Sequence, residues 1–409
     1  MHTDGIDLMN IDRFDDGFPH DWFRRLRAEN PVFKQSDGKG GEFWSLVKYD
    51  DVKRVSREPL RFSSYDGTNI WDVEEEHELE ALRAMMLNMD PPDHVKHRRL
   101  VSKYFTPRRI AEMQGHVREM AHRIVDRVAA KGECEFVTEV AAPLPMQTIC
   151  EMVGVPEGDQ QYIFDLSNKL IGFDDPEFQG ELNDGQMAAI EICVYAGNLA
   201  EEVSKCPAHN LASELYYGEV DGHKLSPLEY NYFFLLLVLA GNETTRTMTA
   251  HGMRLLMEHP DERRKLVEDP SLIPGAVEEM LRYNPAVMHF RRTLREDVEI
   301  RGRQLREGDK VVLWYPSANR DEEVFEDPDR FDVTRSMNEH LAFGVGEHFC
   351  LGASLARLQL TEIFTALLAR LPDMEPAGPI DLLHGNFVDG VKSMPVRFTP
   401  ERGSKGTAA

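Results

Sequence analysis

Apolar positions along this chain recur mostly at helical spacing. The clearest run is SPLEYNYFFLLLVLAGNETTRTMTAHGMRLLMEHP, Ser226 to Pro260. Ser226 and Glu229 stand in capping-box positions, Pro227 takes the first helical place, and Pro260 stops the run. Unbroken, such a helix reaches roughly 50 Å at 1.5 Å per residue, enough to cross a domain. In LGASLARLQLTEIFTALLARL, Leu351, Leu355, Leu358, Ile363, Leu367 and Leu371 fall on one helical face. The stretch DVEIRGRQLREGDKVVLWY instead alternates and turns at glycine, as short strands do. The pattern predicts a mainly α protein with a minor β lobe. No Pro/Gly/Ser linker or internal repeat divides it, so a single domain over residues 1–409 is expected. Its ends, about residues 1–12 and 401–409 (ERGSKGTAA), read as frayed.

Composition narrows the function classes. The 409 residues are 42% hydrophobic, ample for a large core, and carry 47 basic against 71 acidic side chains. The resulting net charge of −24 disfavours nucleic acid as a partner. The longest apolar run, FFLLLVLAG, is too short to span a bilayer, and no signal peptide precedes the first acidic residues, so no membrane anchor is expected. Cys134, Cys150, Cys193, Cys206 and Cys350 show no paired spacing, which fits a reducing cytoplasm better than a disulfide framework. Against the acidic background, HVKHRRLVSKYFTPRRIA (His94 to Ala111) carries Lys96, Arg98, Arg99, Lys103, Arg108 and Arg109 and no acid. It is either an ordinary solvated face or a docking face for an acidic partner.

Four stretches carry candidate chemistry. Gly241, Asn242, Glu243, Thr244 and Thr245 interrupt the apolar part of the long helix. A buried Glu243 needs a partner or a proton, and threonines can bond back to the preceding turn. The insertion is either a polar packing patch or a local opening that admits a small molecule beside an acid and a hydroxyl. Glu279 and Arg282 lie one turn apart, a spacing also found at Glu58/Arg61, Glu80/Arg83 and Glu243/Arg246, so alone it says little. In MDPPDHVKHRR, Asp90 can cap a helix with Pro91 at its first position, which sets His94 and Arg98 on one face as donors for an anion. In AFGVGEHFCLG, Cys350 follows Gly344, Gly346 and His348 just as helical periodicity begins. A thiolate is favoured at a helix start. A hydrolase would need a base that faces it, and a zinc site would need further ligands that the sequence lacks. A thiolate axial ligand to haem needs one cysteine only.

Together these motifs resemble those of the cytochromes P-450, over nearly the whole chain. FGVGEHFCLG fits the family's Phe-Gly-x-Gly-x-His-x-Cys-x-Gly loop at every fixed position, AGNETT resembles its oxygen-activating helix segment, and Glu279/Arg282 match its Glu-x-x-Arg pair. Arg330 in DPDRF matches the arginine that closes that pair's network. The resemblance implies a triangular, mostly helical prism with a small β-rich lobe. It implies haem b with Cys350 as axial thiolate ligand, His94, Arg98, Arg292 and His348 on the propionates, Phe343 packed near the sulfur, and Gly344 and Gly346 permitting the tight turn of this cofactor-binding loop. Glu243 and Thr244 would deliver protons to dioxygen. The implied reaction is insertion of one oxygen atom of O2 into an unactivated C–H bond, with two electrons from an acidic ferredoxin and its NAD(P)H-dependent reductase. LNMDPPDH, AGNETTR, SANRDEEVF and NFVDGVK look closest to members oxidising sterol side chains, isoprenoids or branched lipids, with monoterpene hydroxylases as the alternative. By the same resemblance Ile70, Trp71, Met85, Met86, Leu237, Ala240, Val287, Phe290 and Phe387 would line the substrate pocket. Outside monooxygenases, a non-catalytic haem protein and a cysteine hydrolase remain.

Overall fold

The computed structural model describes residues 5–73, 75–171 and 184–401. The long helix expected from the apolar pattern runs Pro227–Glu258 without interruption. Its capping box is complete, with Ser226 N–H donating to Glu229 Oε2 at 2.7 Å and Glu229 N–H donating to Ser226 Oγ at 3.2 Å. This central helix is buried along most of its length because other helices cover it. The helix Pro143–Val153 crosses it closely at Gly241, where a Cβ would stand only 2.9 Å from Ile149 Cγ1. Gly241 is therefore explained by close packing, and the helix does not open there. Helix Ala353–Arg370 follows the cysteine loop and packs on Gln114–Val128.

The β component is small. Strands β1 (Val32–Ser36), β2 (Glu42–Leu46), β3 (Phe62–Ser63), β4 (His289–Leu294) and β5 (Lys310–Trp314) form one sheet in the order β1-β2-β5-β4-β3. Only β5 and β2 pair in parallel, Leu313 against Leu46. Because side chains alternate along a strand, Phe290 and Arg292 share one face of β4 while His289 and Arg291 share the other. On that second face His289 packs on Trp314, and Arg291 reaches Asp72 at 2.7 Å. No described helix is long and apolar enough to cross a membrane.

Two expectations need correction. The N-terminal segment is not frayed from residue 5 onward: Ile6 and Leu8 are buried in a cluster with Phe14 and Trp314, and Ile11–Phe14 forms a short helix. Apolar spacing too brief to show periodicity hid this, since burial there comes from distant residues. Residues 1–4 and 402–409 lie outside the described residues. The basic helix also begins later than expected, at Asp93, with Pro92 at its cap. Asp90 does not cap it, because its carboxylate instead accepts from Ser64 N–H at 2.8 Å and from the Ser63 hydroxyl.

Candidate functional site

The cysteine loop is built by its glycines. Gly344 and Gly346 take φ of +66° and +82°, the left-handed region that side chains avoid. A Cβ on Gly346 would stand 2.5 Å from the Ser56 carbonyl oxygen. The chain thereby folds back so that Cys350 N–H donates to the Phe343 carbonyl at 2.8 Å, and Gly352 caps the following helix. Burial pushes the Cys350 thiol up, opposed by the Gly352 N–H, by Arg98 and Arg357, and by the Ala353 N–H. His348 does not serve as a base for it among the described residues. Its Nε2 lies 3.4 Å from Ser64 Oγ, and its ring lies 4.2 Å from that of His94. Among the described residues no base is hydrogen-bonded to the sulfur as a hydrolase would need.

Cys350 opens on a cavity of about 260 Å³, and most of the sequence-derived site residues converge on it. Phe343, Gly344 and His348 come from the loop, His94 and Arg98 from helix Asp93–Ser102, and Arg292 from β4. One helical turn separates His94 from Arg98, and one strand repeat separates Phe290 from Arg292, so each element delivers two groups to the same wall. From the expected substrate set, Met86, Leu237, Ala240, Val287 and Phe290 line the cavity. Ile70, Trp71, Met85 and Phe387 do not; Ile70 belongs to the N-terminal cluster, and Phe387 packs behind Phe290 with ring centroids 5.8 Å apart. The sequence reading missed Tyr315 and Gln359, which also reach the cavity but sit in no motif; Thr245, the last residue of AGNETT, reaches it as well.

The four basic groups pair with no carboxylate among the described residues. Arg98 donates to the carbonyls of Phe349 (2.7 Å) and Glu347, and Arg292 to the Arg291 carbonyl at 2.7 Å. Neither pairs with a carboxylate among the described residues. Burial, then Arg98 and Arg292, holds His94 down to about 4, while burial, then Arg292, His94 and Arg98, holds His348 down to about 2. His94 Nδ1 is buried with no hydrogen-bond partner. Two guanidiniums and two neutral imidazoles crowded this way make a donor set for a ligand with two carboxylates. Together with the apolar walls and one cysteine sulfur, that set fits haem b.

Glu243 and Thr244 meet different surroundings. Thr244 lines the cavity, and its hydroxyl donates to the Ala240 carbonyl one turn back at 2.8 Å. Glu243 is buried outside the cavity lining, paired with Arg246 and accepting from Thr247 Oγ1 at 3.2 Å. Arg246 in turn reaches Asn168 at 2.6 Å.

Behind the loop, Glu279 and Arg282 are both fully buried and joined by two hydrogen bonds, at 2.7 and 2.8 Å. Arg282 also donates to the carbonyls of Asn319, Pro328 and Arg330. The arginine that closes this network is Arg335, with Nε at 3.1 Å from Glu279 Oε2, and not Arg330. The Arg330 side chain turns outward to Asp332, because the backbone reverses at Asp327 (φ +43°) and leaves only its carbonyl facing in.

Comparison with known proteins agrees with this geometry. A family model described as cytochrome P450 matches residues 198–372. The chain is 39% identical to a steroid C26-monooxygenase of Rhodococcus jostii, over 98% of this chain and 86% of that protein. It is 40% identical to a methyl-branched lipid omega-hydroxylase of Mycobacterium tuberculosis, over 96% and 95% respectively. Among solved structures, a Mycobacterium marinum cytochrome P450 in complex with pseudoionone superposes with a TM-score of 0.90 at 37% identity, covering 97% of this chain and 99% of that one.

Proposed function

Since this chain belongs to the cytochrome P450 family of haem-thiolate monooxygenases, we propose that it hydroxylates an unactivated C–H bond on a steroid side chain or a methyl-branched lipid. The observation that carries the reading is the convergence of Cys350, four donor groups with no described carboxylate partner and the Thr244 hydroxyl on one largely apolar cavity. When bound, haem supplies the oxygen-activating chemistry, and a thiolate ligand favours O–O cleavage. In this reading Cys350 supplies the thiolate, and His94, Arg98, Arg292 and His348 take the two propionates. Met86, Leu237, Ala240, Val287 and Phe290 exclude water and hold the hydrocarbon; a methionine in that set adapts to irregular shapes. The Thr244 hydroxyl proton is tied to Ala240, which leaves its oxygen lone pairs to accept from the cavity side. Glu243 reaches that side only by leaving Arg246.

The two electrons come from a partner, for which we favour a small acidic ferredoxin with an NAD(P)H-dependent reductase. Three of the six basic residues in the segment His94 to Ala111 are already closely paired on this surface: Lys103 with Glu214 at 2.6 Å, Lys96 with Asp221 at 2.5 Å, and Arg109 with Glu112 at 2.7 Å. Arg57 and Arg99 instead line a shallow depression beside Gly346 and Glu347 of the cysteine loop. They are exposed and pair with no described carboxylate, so docking belongs there.

Two measurements test the reading. Reduced protein under carbon monoxide should show the strongly red-shifted Soret band of thiolate ligation, and Cys350→Ala should lose it; an Ala variant that keeps the band removes Cys350 as ligand. A Soret titration should then show steroids or branched lipids shifting the band at lower concentration than monoterpenes. The opposite order overturns the substrate class and favours the monoterpene alternative.

A further inference from the structure

Beneath the cysteine loop lies a charged group that the reaction as described does not use. Arg357, on helix Ala353–Arg370, sets its guanidinium 4.6 Å from the centre of the Phe343 ring. Phe343 shares the cavity with Cys350 and accepts its N–H. Arg357 therefore stands one aromatic ring away from the cavity that Cys350 lines, whereas Arg98 turns to the Phe349 carbonyl. Glu278, on helix Ile273–Tyr283, grips Arg357 through two hydrogen bonds at 2.7 and 2.8 Å. His340 fixes that carboxylate from the far side, with Nε2 at 3.2 Å. Ala342 N–H donates to His340 Nδ1 at 3.2 Å, so the ring proton sits on Nε2 and points at Glu278. Burial works to raise Glu278, but Arg357 and His340 together hold it at about 2, so it stays an anion. The Arg357 charge is thus present beside Phe343 and screened by one oriented carboxylate.

We propose that Arg357, screened by Glu278 and held in place through His340, is a positioning residue that sets the reduction potential at the Cys350 site. The proposal rests on Cys350 as the haem ligand. Reduction adds one negative charge near the sulfur, so a neighbouring cation favours the reduced state and a neighbouring anion opposes it. The partial exposure of the pair reduces the effect without changing its sign. A merely structural tie between the two helices would affect stability alone.

The test is the midpoint potential of substrate-free holoprotein, measured by spectroelectrochemical titration. Glu278→Gln uncovers the cation and should shift the potential upward. Arg357→Gln leaves an unscreened carboxylate and should shift it downward. Arg357→Lys keeps the charge and should stay near the parent. Parent-like potentials in both Gln variants, or shifts in the same direction, overturn the proposal. Loss of haem from both assigns the group to structure and also overturns it. The carbon monoxide band of each variant separates this outcome from a failed ligand assignment, because that band reports Cys350 ligation whatever the potential.

Discussion

Thr244 and Glu243 are adjacent in sequence, yet only the threonine stands at the cavity wall. Removing its hydroxyl takes away a side-chain group at the wall able to orient a proton donor there. Thr244→Ala should therefore consume NAD(P)H while releasing mostly peroxide, with hydroxylated product falling several-fold. Peroxide yield equal to the parent would move the role to Thr245, which also lines the cavity. Residues of this kind were legible in the sequence when a backbone constraint accompanied the chemistry. Cys350 was legible because two glycines with positive φ and a histidine frame it. Arg335 was not, since Arg330 and Arg335 sit in the same short loop and only the reversal at Asp327 decides which side chain turns inward. Glu278 and His340 were invisible for a related reason: their partners come from other elements.

At the scale of elements, the buried Glu279–Arg282 pair fixes the end of its helix against the segment from Asn319 to Asn338. Removing the guanidinium would leave a fully buried carboxylate with only Arg335, Asn338 and the Asp332 N–H, at a cost on the order of 3–5 kcal/mol. Arg282→Ala should accordingly yield little haem-loaded protein. Arg330→Ala should load like the parent and Arg335→Ala should load poorly; the reverse order, read from haem content after purification, would restore Arg330 to the network. Strand β4 carries a second consequence. Burial pushes His289 down to about 3, so the folded state prefers the neutral ring. Its stabilising effect is complete above the unfolded value of 6.5 and is lost as pH falls from there toward 3. Over that window His289→Phe should flatten the loss of stability by up to ~1.4 kcal/mol per pH unit in thermal or denaturant melts. An unchanged slope would assign acid sensitivity to other groups. The central helix was readable from its capping box and proline boundaries, whereas β3, two residues long, carries no period to read.

Across the whole molecule, a net charge of −24 makes any unpaired basic area consequential. If Arg57 and Arg99 guide an acidic ferredoxin to the cysteine side, Arg57→Glu and Arg99→Glu should slow ferredoxin-supported turnover by roughly tenfold at low salt. The parent's rate should fall toward theirs as ionic strength rises. Lys103→Glu and Arg109→Glu should have smaller effects, and substrate titrations without partner should match in all four. Parent-like turnover in the Arg57 and Arg99 variants would put docking elsewhere. The parallel pairing of β2 with β5 joins residues 43–46 to residues 310–313, and Asn386 donates to the Leu8 carbonyl. During synthesis at about 5–20 residues per second, β2 waits roughly 15–50 s for its partner to emerge. Throughout that interval Phe43 and Leu46, fully covered in the finished protein, lack the strand that completes their sheet, so β2 is an open edge, prone to wrong pairing, until residue 310 has been made.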